Sequence, residues 1–238
     1  MDLVVGFRKP TGITSNDFLT RVKRQLGRWR IRTSGKHRVK VGHGGTLDKG
    51  AEGVLVVGLG KGTKRMSEML KGNKVYIGTG RFGSATDTDD GSGTSIQTMD
   101  PETDHPTQQL LEDMLAGMVG ENMQVPPVYS ALKKKGVRYS DLAREGKVVT
   151  PPARRVVFNS LELINYDWPN FTIRVSCSGG TYIRALIRDI GEMTECYAHM
   201  THLVRTDQGG FRLEDCFDLD NDESVIRLQK TVLGQSKD

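Results

Sequence analysis

A glycine-rich loop, Gly42-His43-Gly44-Gly45-Thr46-Leu47-Asp48, runs through Lys49-Gly50-Ala51-Glu52-Gly53 into the apolar stretch Val54 to Val57. An apolar run this short, preceded by glycines, predicts a buried strand with a tight loop delivered onto its start. Glycines tolerate backbone conformations that other residues resist and let a ligand come close. One histidine and one carboxylate five residues apart in such a loop suit either of two ends. Asp48 can bond its own backbone in a turn, or His43 and Asp48 can hold a reacting group. The loop alone leaves both readings open.

At 238 residues the chain fits one large domain, or one domain with an insertion. No stretch reaches the apolar length needed to span a bilayer as a helix. The run Met1 to Phe7 lacks a basic lead-in and is too short for a signal peptide, so it reads as a first strand. Cys177, Cys196 and Cys216 are widely spaced and form no Cys-x-x-Cys pair. That argues against a disulfide framework and a zinc site, and for reduced thiols in an intracellular protein.

Charge is segregated. Arg21, Lys23, Arg24, Arg28, Arg30, Arg32, Lys36, Arg38 and Lys40 follow one another with no acidic residue between them. These nine cations exceed the whole chain's net charge of +5, so the remainder is acidic on balance. Lys133-Lys134-Lys135 with Arg138 is a second basic cluster, and Glu214 to Glu223 is rich in carboxylates. Like charge gathered without local relief is the footprint of a polyanion partner, although a solvated helix face also carries such runs.

The pattern predicts an α/β mixture. Thr14 or Ser15 caps a helix with Phe18, Val22 and Leu26 inward, ended by Gly27. Residues 28–40 follow as an exposed basic loop. Thr63 caps a short helix through Lys71 with Met66, Met69 and Leu70 inward. Val75 to Phe82 is a strand, and Gly83 to Thr94 a polar loop. Thr107 opens an amphipathic helix carrying Leu110, Leu111, Met114, Leu115 and Met118. From Pro126 to Pro152 runs a polar excursion with a short helix, Tyr139 to Glu145. Val156 to Tyr166 pairs with Phe171 to Cys177. Thr181 to Met193 is a helix with Ile183, Leu186, Ile187 and Ile190 on one face.

Gly58 to Lys64 lacks the spacing of a phosphate loop. Asp87 to Gly91 has its glycine one position early for a calcium-binding EF-hand loop, and no closing Glu. His199 and His202 are spaced for one helical face but have no third ligand nearby. What remains are four polar islands: Lys9 to Ser15, the Asp48 loop, Lys74-Val75-Tyr76, and Gly179-Gly180-Thr181-Tyr182-Ile183-Arg184. Arg184 is a candidate to keep a carboxylate ionised. Tyr76 and Tyr182 are candidate stacking faces for a flipped base or ordinary core residues.

Taken in order, His43 to Asp48 with Gly53-Val54-Leu55, Gly60 to Lys64, Lys74 to Tyr76, Gly83 with Thr86 to Gly91, Gln124 to Lys133 with Gly136, Ala143 to Gly146, Gly179 to Arg184, and Leu203 to Thr206 with Gly210-Phe211 resemble the TruB family of RNA pseudouridine synthases. The resemblance covers about Lys9 to Phe211. It implies a mixed α/β pseudouridine synthase core, with a long, mostly antiparallel central sheet flanked by helices and a thumb insertion. The implied organisation is a catalytic domain over residues 1–220, a basic insertion at about 27–40, a thumb at about 124–152, and an acidic, polar tail over 221–238, with no C-terminal PUA domain.

The implied activity is isomerisation of the T-loop uridine of tRNA (position 55) to pseudouridine, without metal or cofactor. Asp48 is the implied catalytic nucleophile. His43 helps to admit the flipped nucleotide, and Tyr76 stacks on the uracil. Arg184 pairs with Asp48, while Tyr182 and Leu203 line the pocket. The implied RNA-binding residues are Arg28, Arg30, Arg32, Lys36, Arg38, Lys40, Lys64, Lys133 and Lys134. The partner is the tRNA T-stem-loop, with mRNA hairpins of similar shape left open. A monomer in the nucleus or cytoplasm, away from membranes, is expected.

Two departures stand out: Lys49 follows the aspartate where the family commonly has Pro, and the small C-terminal RNA-binding (PUA) domain of bacterial members is not expected here, while the basic insertion at residues 28–40 resembles eukaryotic stand-alone members. Rival readings are a guide-dependent, dyskerin-like synthase and a non-catalytic tRNA-binding or folding protein.

Overall fold

The computed structural model describes residues 1–29, 31 and 39–234. In chain order the elements are β1 (Asp2–Lys9), α1 (Ser15–Arg28), β2 (Val41–His43), β3 (Glu52–Gly60), α2 (Met66–Lys71), β4 (Lys74–Phe82), β5 (Ser84–Thr86), β6 (Ser95–Thr98), α3 (Gln108–Gly117), β7 (Gly120–Gln124), β8 (Lys133–Lys134), β9 (Val137–Arg138), α4 (Tyr139–Arg144), β10 (Arg154–Asp167), β11 (Asn170–Cys177), α5 (Ile183–Met193), β12 (Ala198–Gln208), β13 (Phe211–Arg212) and α6 (Asp222–Gly234). The class is mixed α/β with mostly antiparallel strands, as the resemblance implies.

The chain divides into two compact units, residues 1–75 with 204–238, and residues 76–203. In the first, β1 lies antiparallel along the whole of β3, from Asp2 opposite Gly60 to Lys9 opposite Gly53. β2 covers the far end of the other edge of β3, and the end of β12 runs parallel beside its start, Val204 opposite Glu52. Both faces of β3 are covered, which is why it reads as a continuous apolar run rather than an alternation. Leu55, Val57 and Leu59 point into a core with Phe7, Phe18, Val22, Leu26, Leu228 and Val232. Val54 and Val56 pack on the opposite side with Met66 and Cys216. The carboxylate-rich C-terminal segment is thus not wholly a tail: its helix α6 lends Leu228 and Val232 to the core.

The periodicity of α1 is met in full, with Phe18, Val22 and Leu26 buried. Thr14, not Ser15, is the cap: its hydroxyl accepts from Asp17 N–H at 3.1 Å while Thr14 N–H donates to the Asp17 carboxylate at 3.3 Å. The expected helix from Thr63 is corrected. Residues Lys61–Arg65 form a 3-10 turn, α2 starts only at Met66, and Leu70 is exposed because the six-residue helix turns it outward.

In the second unit, β4, β11, β10 and β7 are neighbours in that order. β10 pairs antiparallel with β11 and with β7. Thr107 caps α3 as expected, with Leu111 and Leu115 buried, but Leu110 is exposed. The polar loop after Gly83 is partly a hairpin, β5 with β6. The excursion after Pro126 carries the small hairpin β8–β9 and the helix α4. His199 and His202 lie on strand β12, so the helical spacing read for them is wrong.

Candidate active site

The Asp48 loop is fixed by bonds from three directions within the first unit. Gly44 N–H donates to the Val56 carbonyl at 2.9 Å, which ties the loop to β3. The hydroxyl of Ser15 donates to the Leu47 carbonyl and accepts from the Leu47 N–H, both at 2.9 Å and both buried. Gly12 N–H donates to the Lys49 carbonyl at 2.8 Å, Thr11 to the Gly50 carbonyl at 3.1 Å, and Ala51 N–H to the Asp48 carbonyl at 3.2 Å. The polar island Lys9 to Ser15 is therefore the cradle of the Asp48 loop. Asp48 itself is half-buried.

Gly44 is demanded by space. A Cβ there would stand 2.4 Å from the Cβ of Met69 on α2, closer than real Cβ atoms come. His43 ends β2, and its Nδ1 accepts from Gly45 N–H at 3.3 Å. Burial, and then the charge of Arg205, holds the imidazole below its ordinary pKa. His43 is thus neutral near pH 7, with its proton on Nε2.

Two buried cations stand close to the loop. Lys9 is fully buried and donates to the carbonyls of Pro10 and Ile13, each at 2.8 Å. Burial lowers its pKa to about 8, with Asp48 and Glu52 pulling it up and Arg205 pushing it down. Arg205, 1% exposed, donates from Nε to the Val54 carbonyl at 2.6 Å and from Nη2 to the Gly45 carbonyl at 3.1 Å. Gln208 adds a bond to the Gly44 carbonyl at 2.7 Å. Lys74 is buried and closes the end of α2 by donating to the carbonyls of Met69, Leu70 and Gly72.

The second unit builds its own polar cluster. Tyr76 is buried on β4, and Leu203 is buried on β12. Leu203 and Ile183 both face Gly78, their methyls 3.6 and 3.0 Å from where a Cβ on it would stand. Gln124, at the end of β7, clamps the start of α5. Its side chain accepts from Tyr182 N–H at 2.9 Å and donates to the Tyr182 carbonyl at 3.0 Å. Arg184 is 4% exposed, and its guanidinium donates to the carbonyls of Thr88 at 2.7 Å and Tyr129 at 3.1 Å. One terminal nitrogen lies 3.7 Å from the Asp90 carboxylate. The Thr86 to Gly91 loop folds on itself, with the Thr86 hydroxyl donating to the Asp90 carbonyl at 2.7 Å, and the same loop supplies the Thr88 carbonyl that accepts from Arg184. Behind it, Arg188 pairs with Asp89 at 3.0 Å and Asp189 at 2.7 Å.

Of the residues named from sequence, His43 and Asp48 share one loop of the first unit, where Lys64 is exposed on the 3-10 turn. Tyr76, Tyr182, Arg184 and Leu203 belong to the second unit, as do Lys133 and Lys134, exposed on β8. Arg28 and Lys40 are exposed, while Arg30, Arg32, Lys36 and Arg38 lie outside the described residues. Sequence reasoning offered Ser15 only as a helix cap and assigned no role in the site to Ser15, Gln124, Lys9 or Arg205. The bonds of the first two span 32 and 58 positions, and no local pattern marks them. Among the described residues, no group of three or more His, Cys, Asp or Glu is arranged to hold a metal ion.

Comparison with known proteins gives the family. Residues 32–183 match the model for "TruB family pseudouridylate synthase (N terminal domain)", and residues 184–232 that for "tRNA pseudouridylate synthase B C-terminal domain". The chain is 44% identical to pseudouridylate synthase TRUB1 of Mus musculus, over 98% of this chain and 72% of that protein. It is 41% identical to tRNA pseudouridine synthase B of Phocaeicola vulgatus, over 92% of this chain and 90% of that one. Among solved structures, a chain of a Cbf5-Nop10-Gar1 complex superposes with a TM-score of 0.67 at 26% identity, covering 91% of this chain and 52% of that chain.

Proposed function

Since this chain belongs to the TruB family of pseudouridylate synthases, we propose that it isomerises the T-loop uridine of tRNA, position 55, to pseudouridine, with Asp48 as nucleophile and the target base flipped out of its stack. The reaction breaks the N1–C1′ bond, turns the uracil and joins C5 to C1′. The C5 proton is lost and N1 gains one, so atoms and electrons balance without an oxidant. A carboxylate can carry the covalent intermediate that keeps the two fragments together between the steps.

The observation that carries this reading is the immobilised Asp48 loop. Ser15, Thr11 and Gly12 hold the backbone on both sides of the carboxylate before any substrate arrives. A nucleophile so placed owes less to entropy at the moment of reaction. His43, neutral in the same loop, adds no positive charge there.

The remaining roles follow the resemblance. Tyr76 stacks on the uracil and assists loss of the C5 proton. For Arg184, its guanidinium already oriented by two carbonyls, the resemblance implies pairing with Asp48. Tyr182 and Leu203 line the base pocket. Arg28, Arg30, Arg32, Lys36, Arg38, Lys40, Lys64, Lys133 and Lys134 grip phosphates. Extruding the base costs a few kcal/mol, which these contacts offset.

An unmodified tRNA transcript tests the proposal. Wild type forms pseudouridine at position 55 without added guide RNA, and Asp48→Asn binds the transcript but forms none. Product from Asp48→Asn would remove the nucleophile assignment. Binding without product by wild type would leave a tRNA-binding protein, and product only on adding a guide would make it a guide-dependent synthase.

A further inference from the structure

Arg154 and Arg155 are consecutive on β10, so their side chains leave opposite faces of the strand. Arg155 is neutralised by a close ion pair with Glu121. Arg154 has no such partner: among the described residues no carboxylate reaches it. Instead its guanidinium carbon sits 4.7 Å from the centroid of the Tyr182 ring. Its Nε is sealed from solvent and makes no hydrogen bond. Gly180, at φ +91°, adds no side chain to this corner. A Cβ there would stand 3.6 Å from Nη2 and 3.7 Å from Cζ.

The strand register makes this more than a stray contact. Arg154 stands opposite Gln124 in the β10–β7 ladder. Gln124 holds the Tyr182 backbone through two hydrogen bonds, and Arg154 covers the Tyr182 ring. One cross-strand pair thus fixes both the main chain and the ring of a single residue. A half-buried guanidinium without a carboxylate gives up hydration that an aromatic face only partly replaces. Its planar fork of donors matches a phosphate better than any other side chain does.

We propose that Arg154 is a substrate-positioning residue, bracing the Tyr182 ring with one face of its guanidinium and offering its terminal N–H groups to a phosphodiester of the bound RNA. This rests on the reading of the protein as an RNA pseudouridine synthase. The ligand chemistry is a single backbone phosphate next to the nucleotide held against Tyr182, so the contact orders the sugar on which the isomerisation acts.

The test measures binding of an unmodified tRNA transcript against salt concentration, with single-turnover pseudouridine formation at saturating RNA, for wild type, Arg154→Ala and Arg154→Lys. Removing one phosphate contact makes the log–log salt slope shallower by about one and weakens binding roughly tenfold. Arg154→Lys retains the charge and so the wild-type slope. It loses the planar brace, and its single-turnover rate falls at unchanged thermal stability. A folded Arg154→Ala with wild-type slope overturns the proposal, whether or not its affinity falls, because packing alone then explains the residue. If Arg154→Ala does not fold, Arg154→Lys decides: wild-type rate in that variant overturns the brace. Should wild type make no pseudouridine while the slopes still differ, the functional reading fails and the phosphate contact stands.

Discussion

Ser15 and Leu47, 32 residues apart, are joined twice through one hydroxyl, which donates to the Leu47 carbonyl and accepts from the Leu47 N–H. The bond holds the peptide immediately before Asp48 against the first turn of α1. Ser15 is free for this because its neighbour Thr14 takes the capping duty. Ser15→Ala leaves two buried backbone groups without their partner, which costs about 1–3 kcal/mol of stability. It also loosens the loop that carries Asp48, the proposed nucleophile, and a displacement near 1 Å of a reacting group reduces turnover by about a hundredfold. Chemical denaturation and single-turnover kinetics on tRNA read the two effects, with kcat falling and KM little changed. A folded Ser15→Ala with wild-type kcat would show that the clamp serves stability alone.

Gly44 and Met69 set the distance between the Asp48 loop and α2. A methyl on residue 44 meets the Met69 Cβ at 2.4 Å, an atom fixed to the helix backbone rather than the far end of a flexible chain. Gly44→Ala therefore costs about 1–3 kcal/mol through overpacking. Truncating the neighbour does not relieve it, since Met69→Ala keeps the offending atom. Urea unfolding of Gly44→Ala and of the double variant is expected to give equal losses relative to their Gly44 parents. Recovery in the double variant would mean that the side chain beyond Cβ, not the helix position, sets the limit.

Much of this was legible in the sequence where the cause is local. The four-residue spacing of Phe18, Val22 and Leu26 needs only one buried helix face, and all three are buried. The apolar run Val54 to Val57 needs only cover on both sides. Strand β12 was missed because His199, Thr201 and His202 interrupt its apolar residues and half of its side chains face outward. Periodicity points Leu70 and Leu110 inward, but α2 is too short and α3 too narrowly packed to bury them. The candidate site residues came from sequence as a set of residue types in order. Their supports did not, because Ser15 reaching Leu47 and Gln124 reaching Tyr182 depend on contacts that a sequence pattern does not encode.

Asp89 gives the fold a pH signature. Burial raises its carboxyl to about 6, against the pull of Arg188 and then Arg184. The ordinary value is 3.8, so between about pH 4 and 6 the folded protein binds more protons at this group than the unfolded chain does. Stability from Asp89 is therefore full below pH 4 and is lost as pH rises through 6, by on the order of 2–3 kcal/mol. Asp89→Asn removes that loss without isolating Arg188, which keeps Asp189 at 2.7 Å and Glu192 at 3.7 Å. Unfolding free energies measured from pH 4 to 7.5 should therefore diverge, the variant gaining on wild type as pH rises and the gap levelling off above about 6.5. Other groups that titrate in the same window are common to both proteins and cancel in the difference. Parallel curves would mean that Arg188 outweighs burial and that Asp89 is ionised throughout.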